Sequence, residues 1–230
     1  MTTIAAALLG FVSAVVLWAW FETSFLFGVV AGPRRSPCPA NAPPTKRFRL
    51  AFAALRDHEL ALAGVLLLLT LALHDAANRV ALETFAALWL CRLAAKACLF
   101  VGMPNFTHDM VPDRMRYLAT YFGRGRPGLV YAAAVLGMGA MALWLLREAV
   151  TAAGAFDATA KALVGALVAL ALVEHVMMAL PLRDSRLWTW ALRHARERPS
   201  ESTAPREVRG RKLQGVALRA RAVVPGERDA

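Results

Sequence analysis

Charge is scarce in this chain, and negative charge scarcer still. Asp and Glu number 16, and the four charged types make up 19% of the 230 residues, where a soluble domain carries about a quarter. That is too little to cover an ordinary globular surface, which argues against a soluble Rossmann-type enzyme and against a charge-rich disordered chain. Cysteine is scarce as well: Cys38, Cys91 and Cys98 are odd in number and form no CxxC pair. They exclude a secreted disulfide scaffold and a zinc or thiol-redox motif, and read as packing residues. The five histidines contain no HxxxH pair, which argues against a histidine-box iron site. The stretch His58-Glu59-Leu60-Ala61-Leu62 opens like the zinc-protease HExxH but ends in Leu, so one ligand is missing. There is no GxSxG, Walker loop or GxGxxG, and Gly123-Arg124-Gly125-Arg126 has too few glycines and follows no strand. An enzyme is therefore not the default.

What the chain has in abundance is apolar surface. Hydrophobic residues reach 58%, and the mean hydropathy of +0.46 is carried in runs of Ala, Leu and Val. Such runs face lipid, and only helices or closed barrels can cross a bilayer. Long unalternating runs select helices, so the expected fold is an all-α polytopic transmembrane bundle. Five spans are expected, near 3–31, 49–74, 80–103, 128–147 and 158–181. Pro-Gly breakers and charge pairs separate them, and each is long enough for ~30 Å of hydrocarbon at ~1.5 Å per residue.

The 27 basic against 16 acidic residues give a net charge of +11, which in a soluble protein would suggest nucleic acid. Here the cations follow the loops. The segment after the first run holds Arg34, Arg35, Lys46, Arg47 and Arg49, and that after the third holds Arg114, Arg116, Arg124 and Arg126. The other two connections are near neutral. The positive-inside rule then makes the basic loops and the C-terminus cytoplasmic, and no nucleic-acid role is needed. Five spans place Met1 outside, an awkward start that suggests upstream spans are missing. A short interfacial helix is expected from Val111, with Met115, Leu118 and Phe122 at helical spacing. Residues 183–199, with Trp188, Trp190, Arg193, Arg196 and Arg198, read as an interfacial anchor, and 200–230 as a basic disordered tail.

Ionisable groups inside the spans are the informative residues, because a charge at membrane depth needs a partner or a purpose. Glu22 lies ten positions before the expected end of the first span, roughly 15 Å inside it. His58 and Glu59 in the second span, Arg92 and Lys96 in the third, and Glu174 and His175 in the fifth fall at the same level. The layer admits three readings: interhelical ion pairs of Glu59 or Glu174 with Arg92 or Lys96; a site where a His supplies an axial nitrogen to a metallotetrapyrrole or the cations hold its carboxylates; or a carboxylate-histidine metal centre. Glu83, near the outer end of its helix, is expected to reach the interface.

Several elements together resemble a known family. They are Trp20-Phe21-Glu22-Thr23-Ser24-Phe25-Leu26 followed by Gly32-Pro33; His58-Glu59-Leu60; Arg92-Leu93-Ala94-Ala95-Lys96 leading into Gly102-Met103-Pro104-Asn105-Phe106; Arg116-Tyr117-Leu118 with Tyr121-Phe122; and Glu174-His175 before Leu180-Pro181-Leu182 and Leu187-Trp188. The chain is similar to the photosynthetic complex assembly protein 2 family, the PuhE-type proteins of purple phototrophic bacteria. The resemblance implies a polytopic inner-membrane protein that supports bacteriochlorophyll supply and assembly of the reaction centre and its core antenna. Its implied partners are membrane lipid, reaction-centre or antenna subunits and pigment-synthesis proteins, and its implied ligand a transiently held bacteriochlorophyll or precursor. The candidate site is Glu22, His58, Glu59, Arg92, Lys96, Asn105, Glu174 and His175, with no catalytic or metal residues assigned. Relatives carry extra hydrophobic segments before the Trp-x-Glu helix, and many carry His where this chain has Phe21, which weakens the metal reading. The competing classes are a membrane enzyme or enzyme subunit of tetrapyrrole synthesis and a small-molecule transporter.

Overall fold

The computed structural model describes residues 2–104, 113–123 and 125–180, all of them within the unit Met1–Trp188. Expectations for Asn105, Val111, the 183–199 anchor and the 200–230 tail lie outside the described residues. Six α-helices follow one another, α1 (Ile4–Leu26), α2 (Pro44–Ala72), α3 (Val80–Val101), α4 (Arg116–Ala119), α5 (Leu129–Thr151) and α6 (Ala155–Ala179). Among the described residues there is no strand. The fold is the expected all-α bundle, and α1, α3, α5 and α6 are each long and apolar enough to cross a membrane.

Local chemistry sets the helix ends. The Thr3 hydroxyl accepts from the Ala6 N–H at 3.1 Å and caps α1. That helix stops at Leu26, short of the expected 31, because Gly28 takes a φ of +71° and turns the chain while the sequence is still apolar. Pro44 opens α2 five residues earlier than expected; at the first helical position its missing N–H costs nothing. Asn78 caps α3, its Oδ1 accepting from the Val80 N–H at 3.1 Å, and Gly102, with a φ of +134°, ends it. The fourth expected run extends one turn further, through Arg147 and Glu148, into α5. Within the stretch expected to form an interfacial helix, a 3-10 turn, Asp113–Met115, leads into α4.

At the centre stands α3, packed against α1, α2, α5 and α6, while α5 and α6 form the most extensive pair. Phe85 of α3 closes one core cluster with Ala14 of α1 and Leu62 of α2. Met138 and Leu145 of α5 form another with Val164 and Val168 of α6. Large apolar side chains such as Leu9, Val16, Leu68, Leu136, Leu143 and Leu170 point outward, as lipid-facing residues do.

The two basic connections meet at one end of the bundle. Arg34 Nε donates to the Tyr121 hydroxyl at 2.6 Å, which itself donates to the Ser36 carbonyl at 2.7 Å, and the Cys38 N–H donates to Thr120 Oγ1 at 2.8 Å. Gly32 and Gly123 lie flat on neighbouring helices: their N–H groups donate to Ala54 O at 2.9 Å and Leu99 O at 3.0 Å. A Cβ at either would fall 2.1 or 2.3 Å from a backbone oxygen, so only glycine permits these approaches. At the other end Asn78 Nδ2 donates to Ala6 O at 2.9 Å, joining the near-neutral connection to α1.

Candidate functional site

The structure brings six of the eight candidate residues into two adjoining ion networks in the half of the bundle nearest the basic loops. The first joins α2 to α3. Lys96 Nζ lies 2.5 Å from Glu59 Oε1, while the Trp89 indole N–H donates to Glu59 Oε2 at 3.0 Å. Both charged side chains are largely covered, 19% and 12% exposed. The carboxylate therefore has a counter-ion and a neutral donor, as a charge away from water requires.

The second network spans α1, α2, α3 and α6. Arg92 reaches toward two carboxylates, Nη2 to Glu22 Oε2 at 3.6 Å and Nη1 to Glu174 Oε1 at 3.7 Å. Glu22 Oε1 also lies 3.5 Å from His58 Nε2. All three distances exceed the 2.7–2.9 Å of a charge-assisted hydrogen bond. Arg92 and Glu174 are half open, 42% and 54% exposed. They line a cavity of about 300 Å³ between α1, α3 and α6, together with Glu22, Cys91 and Trp18. Arg92 thus keeps donors available toward that cavity, beyond what its two carboxylates take up.

The remaining residues divide by position. His58 is fully buried, and its ring lies 4.5 Å, centroid to centroid, from that of Phe25. The Lys96 ammonium sits 5.9 Å from the same Phe25 ring, so this aromatic separates the two networks. His175 is fully buried as well. Its Nδ1 is 2.7 Å from Ala171 O. A carbonyl only accepts, so Nδ1 carries a proton, while Nε2 has no hydrogen-bond partner among the described residues. Neither imidazole lines the cavity that holds Arg92. Asn105 lies outside the described residues. Among the described residues no three His, Cys, Asp or Glu side chains converge as metal ligands would.

Two sequence positions take different roles from those expected. Glu22 lies four residues from the end of α1, about 6 Å at ~1.5 Å per residue rather than 15 Å, because Gly28 shortens the helix. Glu83 does not simply reach the interface; its Oε2 lies 3.0 Å from Lys161 Nζ and ties α3 to α6. The sequence reading missed Trp89 and Phe25. Trp89 stands seven residues before Lys96, two turns along the same face, and Phe25 stands three after Glu22; those spacings were the available signals.

Fold and site together define a multi-helix membrane protein with ion networks inside its bundle. The chain belongs to the family described as "Protein of unknown function (DUF3623)", whose family model matches residues 1–199. This bears out the resemblance read from the motifs between Trp20 and Trp188. It is 37% identical over 205 residues to an "uncharacterized 30.4 kDa protein in puhA 5′ region" of Rhodobacter capsulatus, a match covering 88% of this chain and 74% of that protein. No solved structure matches.

Proposed function

We propose that this protein is an assembly factor of the bacterial inner membrane that supports bacteriochlorophyll supply and the building of the photosynthetic reaction centre and its core antenna. The α1–α3–α6 cavity is where it transiently holds a chlorophyll-type tetrapyrrole or precursor. The observation carrying this reading is Arg92, half exposed beside that cavity and held between two carboxylates at distances that leave its donors unspent. An intramembrane cation that lines a cavity is a functional-site candidate by default. The relative's gene lies in the 5′ region of puhA, and the family resemblance points to the same context.

The residues fit one of the two binding modes. Arg92 suits a tetrapyrrole carboxylate, because a guanidinium forks across two oxygens. His58 and His175 are fully buried and do not line the cavity, so neither is placed there as an axial ligand. A volume of about 300 Å³ is at the small end for ligand sites. It takes an edge or side group of the macrocycle and leaves the rest against the lipid-facing surface, from which a partner subunit can receive it. A bound tetrapyrrole would supply the light-absorbing chemistry; this chain's residues bind and orient.

The same reading makes α2 a fifth span. Ala54 is level with Gly32 through their hydrogen bond. From there to Ala72 the helix runs about 28 Å, while its charged first turns stand among the cytoplasmic loops.

An in-frame deletion in a phototrophic host tests the function through visible and near-infrared spectra of its membranes. The antenna and reaction-centre bands are expected to fall and to return with the wild-type gene. They should stay low with Arg92→Met, although that variant accumulates in the membrane. An unchanged spectrum refutes the assembly role, and an accumulating biosynthetic precursor transfers it to a membrane enzyme of tetrapyrrole synthesis.

A further inference from the structure

A second cavity, of about 360 Å³, lies where α1 ends and the chain approaches α4. Phe27, Ala31 and Met115 give it apolar lining, while Arg35, Arg114 and Tyr117 supply polar groups. Its walls carry no carboxylate among the described residues. The left-handed turn at Gly28 matters here, because the carbonyl it presents accepts from Arg35 Nη2 at 3.0 Å and fixes that guanidinium in place. Arg114 is exposed and has no polar partner among the described residues. Among the described residues the Tyr117 hydroxyl donates only to Met115 Sδ, at 3.8 Å, and a thioether is a weak acceptor. Burial pushes the Tyr117 phenol above its ordinary range against the downward pull of the Arg35 guanidinium, with Tyr121 adding to the rise. Its proton is therefore retained and available.

Two guanidiniums and a phenol facing one cavity suit an oxyanion with several acceptor oxygens. The location narrows the choice. The cavity lies beside the end of α1, a helix long and apolar enough to cross a membrane, with Phe27 exposed next to it; the end of a spanning helix is where headgroups meet acyl chains. We infer that this cavity binds the phosphate of an anionic membrane phospholipid, with Arg35 and Arg114 taking the charge, Tyr117 donating to a further oxygen, and the apolar lining receiving the adjoining carbons. The site is built, unlike the general attraction of basic loops for an anionic leaflet.

Native mass spectrometry of the detergent-purified full chain tests this, with phosphatidylglycerol and phosphatidylcholine offered in equal amounts. The wild type is expected to retain phosphatidylglycerol preferentially. Arg35→Gln and Arg114→Gln should each cut that retention about tenfold, since each removes a charge-assisted contact. Tyr117→Phe should lower it by a smaller factor. Lys46→Gln and Arg126→Gln, at the same end but outside the cavity, should change it by less than about twofold, as screened surface charges do. Variants are compared only where their melting temperatures match the wild type. Equal retention of the two lipids, or equal losses in the control variants, overturns the inference. Retention of inorganic phosphate in place of the lipid overturns the lipid assignment.

Discussion

Replacing Lys96 by Met isolates the covered half of the polar layer. The substitution removes an ammonium 2.5 Å from Glu59 Oε1 and leaves a carboxylate only 12% exposed. Breaking such a pair from one side typically costs about 3–5 kcal/mol. The retained Trp89 bond to Glu59 Oε2, at 3.0 Å, keeps the carboxylate from being wholly unpartnered and places the expected loss near the lower figure. At about 2–4 °C per kcal/mol for a chain of this size, a loss near 3 kcal/mol lowers the melting temperature by about 6–12 °C. The double variant Glu59→Gln/Lys96→Met keeps an acceptor for Trp89 and removes both charges. It should recover to within about 1 kcal/mol of the parent, because a buried pair replaced as a unit is often neutral. Thermal unfolding in detergent, followed by size-exclusion recovery of the folded protein, reads both variants and their coupling. A single variant melting within about 2 °C of the parent, or a double variant as unstable as the single, refutes the assignment of this pair as the α2–α3 clamp.

Gly32→Ala should cost about 1–3 kcal/mol or more, since its Cβ would meet Ala53 O at 2.1 Å. Gly137→Ala, with nothing within 4 Å, should gain about 0.5–1 kcal/mol of helix preference; melting curves of the two check the contrast. Tyr117 should ionise above the ordinary tyrosine range in an ultraviolet pH titration, and Arg35→Gln should move it higher by removing the opposing pull. Because the folded-state value is raised, the stability linked to this phenol is complete below the ordinary tyrosine range and is lost as pH rises through the folded-state value.

The candidate layer was legible because a charge inside an apolar run stands out. Glu22, His58, Glu59, Arg92, Lys96 and Glu174 all announce themselves by that contrast, and the structure brings them together. Phe25 and Trp89 offer no contrast in the same runs, although one separates the two networks and the other completes the coordination of Glu59. Helix ends were legible where chemistry and hydropathy agree, as at Val80, and not where they part. At Gly28 the backbone turns while Val29 and Val30 continue the apolar pattern, and at Pro44 the helix begins in a stretch with no apolar signal. The close approaches of Gly32 and Gly123 depend on where a distant helix passes, information that no local window contains.

Of the three readings open for the layer, ion pairing describes one half of it, and the proposed ligand site draws on the other, which is physically different. At Glu59 the counter-ion and the indole donor are both within hydrogen-bond distance and both charged partners are covered, so that network has little left to offer a third party. At Arg92 the contacts are about an ångström longer, the two outermost charges are half open, and the adjoining cavity is lined by charge rather than by apolar side chains alone. Arg92 and Lys96 sit one turn apart on the same helix, so a shift of α3 that tightened one network would disturb the other. The short Glu59–Lys96 contact therefore fixes the height and rotation of α3, and with them the place at which Arg92 faces the cavity. On this account Lys96→Met should weaken function through Arg92 as well as stability, whereas Arg92→Met should abolish function with a smaller drop in melting temperature than Lys96→Met, because its contacts are longer and its own side chain is half open, although it too leaves the covered Glu22 without its cation.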